Sequence, residues 1–150
     1  MIPIEQQLFY NEETGERGDC LKCCLASLLE LPYEEVPHFV AMGDRWFIEE
    51  MNWLASRNWQ IFQAFFTVDE NDPTKLSGYT VGYWLAGVTS LRTRSDGSHI
   101  SHMVVMKDNE IAFDPHPDRA QGHLGFETGE ILIPVDPARF TLKEEFGDNA

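Results

Sequence analysis

The chain has 150 residues, 43% of them hydrophobic and 12% aromatic, which is enough for a packed core and too apolar for disorder. Its 25 acidic residues against 11 basic ones give a formal net charge of −14. That balance argues against nucleic acid and against anionic membrane surfaces, and permits a basic protein or peptide partner. No apolar run approaches the roughly 18–20 residues of a membrane span, and Met1 to Gln7 lacks the basic flank and apolar core of a signal peptide. Three cysteines packed into five positions cannot build a disulfide framework, so one reduced domain over residues 1–150 in the cytoplasm is expected.

In chain order, residues 1–10 are expected to form a short edge strand, and 11–18 a polar loop bounded by glycine. Asp19 has the side chain to cap a helix that starts at Cys20. Leu21, Leu25, Leu28 and Leu29 recur at helical spacing, and Leu31-Pro32 ends the segment because a residue before proline is pushed out of helical geometry. After a tight connection over 33–37, a second helix is predicted from about Asp44 to Arg57, with Trp46, Phe47, Met51, Leu54 and Ala55 as its apolar face. Residues 60–67 read as a strand, 69–78 as a surface loop carrying Pro73, and 79–89 as a glycine-spaced central strand. Leu91 to Ser98 is a polar excursion. His99 to Met106 and Glu110 to Phe113 read as paired strands, and 131–135 as a last strand before a turn near Asp136-Pro137. The tail 147–150 is expected to fray. The fold class is therefore α+β, an N-terminal helix packed on an antiparallel sheet.

Chemistry concentrates at the first helix. A thiol in the first turn, as at Cys20, sees the positive end of the helix dipole, which favours thiolate. Cysteine catalysis further needs an imidazole and a group that orients it. His102 opens the apolar strand 103–106, and Asp114 closes the next strand before Pro115. Strand side chains alternate, so a two-residue turn would put Asp114 on the far face from His102. A three-residue loop, Lys107-Asp108-Asn109 with Asn109 at positive φ, would bring the two together.

Gly18-Asp19-Cys20, the helix through Leu31-Pro32, the Ser101-His102 strand and Phe113-Asp114-Pro115-His116-Pro117 together resemble the papain-like cysteine hydrolases. The match is to small bacterial and phage branches, of the bacteriocin-leader peptidase and cell-wall amidase types, and covers most of residues 18–117. The resemblance implies a papain-like fold with Cys20 as nucleophile, His102 as general base and Asp114 as orienter. It implies an amide, peptide or isopeptide substrate carried by a peptide or protein, and no cofactor. The family usually sets an oxyanion-hole glutamine a few residues before the cysteine. Here Thr14 stands six before it, and the nearest preceding glutamine is Gln7. Gln7, Asp19 and His116 are the candidates for oxyanion and substrate binding.

Plainer readings exist for each residue. Cys20 alone reads as a buried thiol, Cys23 and Cys24 as core, and Asp114 before proline as a turn cap. Trp46, Trp53, Trp59 and Trp84 read as core rather than as a ligand platform. Cys20 and Cys23 with His99, His102 or His116 have no standard zinc spacing, so no metal is expected. A non-catalytic binding or inhibitor protein on the same scaffold, using its acidic surface against a basic partner, is the alternative to an enzyme.

Overall fold

The computed structural model describes residues 1–78, 80–119 and 122–136. Helix α1 spans Cys20–Leu29 and buries Leu21, Cys23, Cys24, Leu25, Ala26 and Ser27. It ends two residues before Leu31, where Glu30 takes a left-handed conformation (φ 56°) and the Leu31 N–H donates back to the Ala26 carbonyl. A 3-10 turn over Tyr33–Glu35 and a longer 3-10 stretch over Phe39–Arg45 lead into helix α2, Trp46–Ala55. The second helix is thus shorter than the pattern suggests. Its buried residues are Glu50 and Leu54, with Trp46 and Trp53 packed against the core, while Phe47, Met51 and Ala55 are exposed.

Five strands follow: β1 (Trp59–Gln63), β2 (Tyr83–Thr93), β3 (His99–Lys107), β4 (Glu110–Phe113) and β5 (His123–Pro134). They form one sheet in the order β1-β5-β2-β3-β4, and every neighbouring pair is antiparallel. The fold class is α+β, with two helices against a five-stranded antiparallel sheet. Leu85 and Val105 face Leu21, Leu25 and Leu54 of the helices. The alternate residues Trp84, Ala86, Val88, Val104 and Met106 form a second core on the other face, covered by Phe66, Leu76 and Phe126.

Four strand expectations change. Residues 1–10 form no strand, because their donors go elsewhere: Ile2 N–H to the Ser27 carbonyl, Ile4 N–H to Ser27 Oγ and Gln6 N–H to the Pro115 carbonyl. The segment is a strap tying α1 to the loop after β4. The strand expected over 60–67 stops at Gln63, where Phe66 turns away to pack on Trp84 and Phe126. The last strand begins at His123 rather than at 131, and the central strand runs over 83–93 rather than the expected 79–89, of which Tyr79 lies outside the described residues. The turn at Pro137 and the tail 147–150 lie outside the described residues. No helix among the described residues is long and apolar enough to cross a membrane.

Candidate active site

Parity places His102 and Asp114. The connection between β3 and β4 is a two-residue turn, Asp108-Asn109, since Lys107 pairs with Glu110. Asp108, not Asn109, holds the positive φ (53°). The three-residue loop is therefore not formed. Both turn residues are pinned by the preceding segment: Gly82 N–H donates to Asp108 Oδ1 (2.8 Å) and Thr80 N–H to Asn109 Oδ1 (3.0 Å). Such a turn alone would send Asp114 to the wrong face. A bulge corrects it: Met106 pairs with Ile111 but Val105 pairs with Phe113, so Ala112 is one extra residue on β4. The odd residue sits in the strand instead of the loop, and His102 and Asp114 leave the sheet on the same side.

There His102 Nε2 lies 2.7 Å from Asp114 Oδ1. The same oxygen accepts from the His116 backbone N–H (2.8 Å), and Arg119 Nε donates to the Asp114 backbone carbonyl (2.8 Å). With Nε2 on the carboxylate, Nδ1 is the other ring nitrogen; it is buried and has no hydrogen-bond partner. Burial disfavours the imidazolium, yet the hydrogen bond to Asp114 and then the interaction with Cys20 outweigh it and push the His102 pKa up to about 9. Burial acts the opposite way on Asp114, and the hydrogen bond from His102 overrides it, holding the carboxyl below its ordinary range.

Cys20 is half-buried at the first position of α1. The other two thiols point inward, Cys23 Sγ toward the Glu5 carbonyl (3.5 Å) and Cys24 Sγ toward the Met103 carbonyl (3.3 Å). Burial pushes the Cys23 pKa up to about 12 and raises that of Cys24 as well. Among the described residues, no group of three or more His, Cys, Asp and Glu side chains is arranged to hold a metal ion.

Cys20 and His102 both line a cavity of about 760 Å³ between the helices and the sheet. Trp46, Phe47 and Met51 form an apolar wall of it, so the α2 side chains left out of the core are turned to this space. His102 also lines a smaller cavity of about 350 Å³ with Asp114 and Arg119.

The remaining sequence candidates fall differently. Gln7 is exposed and does not line the cavity; only its backbone N–H is engaged, by Asp19. Its neighbour Gln6 is the buried one, lining the cavity beside Cys20. Gln6 Nε2 donates to the Leu8 carbonyl (2.8 Å), and its Oε1 is buried without a partner. Asp19 makes no capping bond and is fully buried. Its carboxylate accepts from the Gln7 and Leu8 N–H groups and from Tyr33 Oη (2.6 Å), which fixes the strap to the start of α1. It anchors the residue before Cys20 and lines neither cavity. His116 does not line either cavity; its ring stands edge-on to those of His102 (6.1 Å between centroids) and Phe9 (5.3 Å).

Two residues of the site were not singled out by the sequence reading. Glu130 lines the cavity, and Glu50 is fully buried near enough for the Glu130 charge to raise its pKa. Glu50 was legible: Trp46, Glu50 and Leu54 recur every four residues, which places a carboxyl in the middle of the buried stripe. Glu130 lies one residue before the strand that the apolar run 131–135 predicts, so the pattern gives it no face.

Comparison of the chain with family models, curated proteins and solved structures finds no match.

Proposed function

We propose that the chain is a papain-like cysteine hydrolase or acyltransferase acting on amide, peptide or isopeptide bonds. The observation that supports this best is the imidazole of His102, bonded through Nε2 to Asp114 at 2.7 Å with its buried Nδ1 left unpartnered, in one cavity with Cys20. In this reading Asp114 holds the ring and favours the imidazolium, and His102 takes the Cys20 proton. The thiolate adds to the acyl carbonyl carbon, and the carbonyl electrons move to oxygen. His102 returns its proton to the departing amine as the carbon–nitrogen bond breaks, leaving an acyl-thioester. Water or another nucleophile then attacks that thioester, gives its proton to His102 and releases Cys20. The backbone N–H of Cys20, in the first helical turn and so without an intrahelical acceptor, is the donor this reading assigns to the developing oxyanion. Gln6 Nε2 keeps a second hydrogen beyond the one given to Leu8.

A second reading rests on that same bond. With Gln6 tied to Leu8, the oxyanion hole reduces to one backbone donor, which suits a weak enzyme or a binding protein whose acidic surface engages a basic partner. Acylation by p-nitrophenyl acetate separates the two. The hydrolase reading expects an acetyl adduct on Cys20, seen by mass spectrometry and turned over by water, and its loss in Cys20→Ala and His102→Ala. Acetylation spread over surface groups, unchanged in those variants, supports the binding protein.

A further inference from the structure

Glu130 is only 8% exposed and its Oε2 is buried without a hydrogen-bond partner, although the residue lines the cavity that holds Cys20. Glu50 behind it has no exposure at all, and neither of its carboxyl oxygens has a partner. Buried carboxyls are normally paired or hydrogen-bonded, and two together without a cation are costly. The arginines of the cavity do not serve them. Arg92 Nε is turned to Ser90 Oγ (3.1 Å), and Arg94 to Ser98 Oγ and the His99 carbonyl.

We propose that Glu130, backed by Glu50, seats a cationic side chain of the substrate, an ammonium or a guanidinium. The proposal rests on the hydrolase reading for what the substrate is acylating, but not for the seat itself. Glu130 pairs with Leu85, on the face of the sheet that carries the helices, and the cavity it lines also reaches Cys20 and His102. A lysine or arginine one or two residues from the scissile carbonyl would run along this cavity to Glu130. Phe47, Met51 and Trp46 supply the apolar wall for the methylene stem, as long cationic side chains require.

Burial pushes Glu130 up to about 7, and burial, with the Glu130 charge adding to it, pushes Glu50 up to about 9. Glu130 therefore ionises first, and a docked cation draws it fully into the carboxylate form, releasing a proton to solvent. The chain's net charge of −14 favours approach of the same ligand.

The test uses acyloxymethyl ketones carrying lysine at the first or second position from the reactive group, each matched by its norleucine counterpart. The rate of Cys20 alkylation is expected to be about 10- to 100-fold higher for one lysine probe than for its norleucine match, from the charge-assisted bonds gained. In Glu130→Gln that ratio is expected to fall toward one, and taking a ratio within each protein cancels general effects on Cys20. No lysine preference in the wild type, or a preference that persists in Glu130→Gln, overturns the proposal. If neither probe labels Cys20, the hydrolase reading has failed, and thermal melting decides the seat alone. There, n-butylammonium should raise the midpoint more than n-butanol in the wild type and not in Glu130→Gln; equal effects in both proteins refute it.

Discussion

Replacing Glu50 by glutamine should stabilise the protein, and by more as the pH rises. Glu50 sits in α2 fully buried, with both oxygens unpartnered. Burial, and then the charge of Glu130, push its pKa from 4.5 up to about 9. The folded protein therefore keeps a proton that the unfolded chain releases above 4.5. Stability from this group is complete below 4.5 and is lost as pH rises toward about 9. The unfolded value lies about two and a half units below pH 7, which at about 1.4 kcal/mol per unit costs about 3.5 kcal/mol there. At about pH 5 the same cost is under ~1 kcal/mol. Glutamine keeps the shape and cannot ionise. Any constant difference between a buried amide and a buried acid is the same at both pH values. The gain from Glu50→Gln should thus be about 2.5 kcal/mol larger at about pH 7 than at about pH 5. Urea unfolding followed by tryptophan fluorescence, with equal m-values required of both proteins, measures it. A gain independent of pH, or a loss that grows with pH, would refute the reasoning, because it would mean that Glu50 is ionised and paired in the folded state.

Asp114→Asn should return the His102 titration from about 9 toward its ordinary 6.5, read by NMR of the ring protons. The raised His102 pKa also contributes stability that is complete below 6.5 and lost as pH rises through about 9, a dependence that the asparagine variant should lack. Gln6→Ala should slow acylation of Cys20 by p-nitrophenyl acetate by about 10²–10³-fold if its second hydrogen reaches the oxyanion, and Gln7→Ala should not slow it. Equal rates in all three proteins would remove Gln6 from the site. Asp19→Ala leaves two backbone N–H groups and the Tyr33 hydroxyl without their acceptor and should cost about 3 kcal/mol in urea unfolding. A loss within about 0.5 kcal/mol would mean that the strap is held by other contacts.

The helix at Cys20 and the pairing of β3 with β4 were legible because their apolar spacing is regular and their turn residues are distinctive. The meeting of His102 with Asp114 was legible as a parity requirement, though not in how it is met. A bulge at Ala112 leaves no local mark, since any small residue serves, and the turn type follows from contacts with Thr80 and Gly82 that are remote in sequence. The first half of β5 was hidden by Gly125 and Gly129, residues depleted in strands. Gly129 lies where an added Cβ would stand 2.8 Å from Ala64 Cβ, so packing, not propensity, chooses glycine. Asp19 looked like a cap because its type and position fit one; the neighbouring strap offered its carboxylate two backbone donors and Tyr33 a third instead. Phe47 and Met51 looked like core for the same reason, since helical spacing does not distinguish a core from the wall of a cavity.

The most direct test of the account is the pH dependence of iodoacetamide alkylation, followed thiol by thiol by mass spectrometry. Cys20 should react at neutral pH far faster than Cys23 and Cys24, whose burial raises their pKa values, and His102→Ala should abolish the advantage. Equal, slow labelling of all three thiols, or a Cys20 rate indifferent to His102, would contradict a thiolate poised by the imidazole and leave the cavity without its nucleophile.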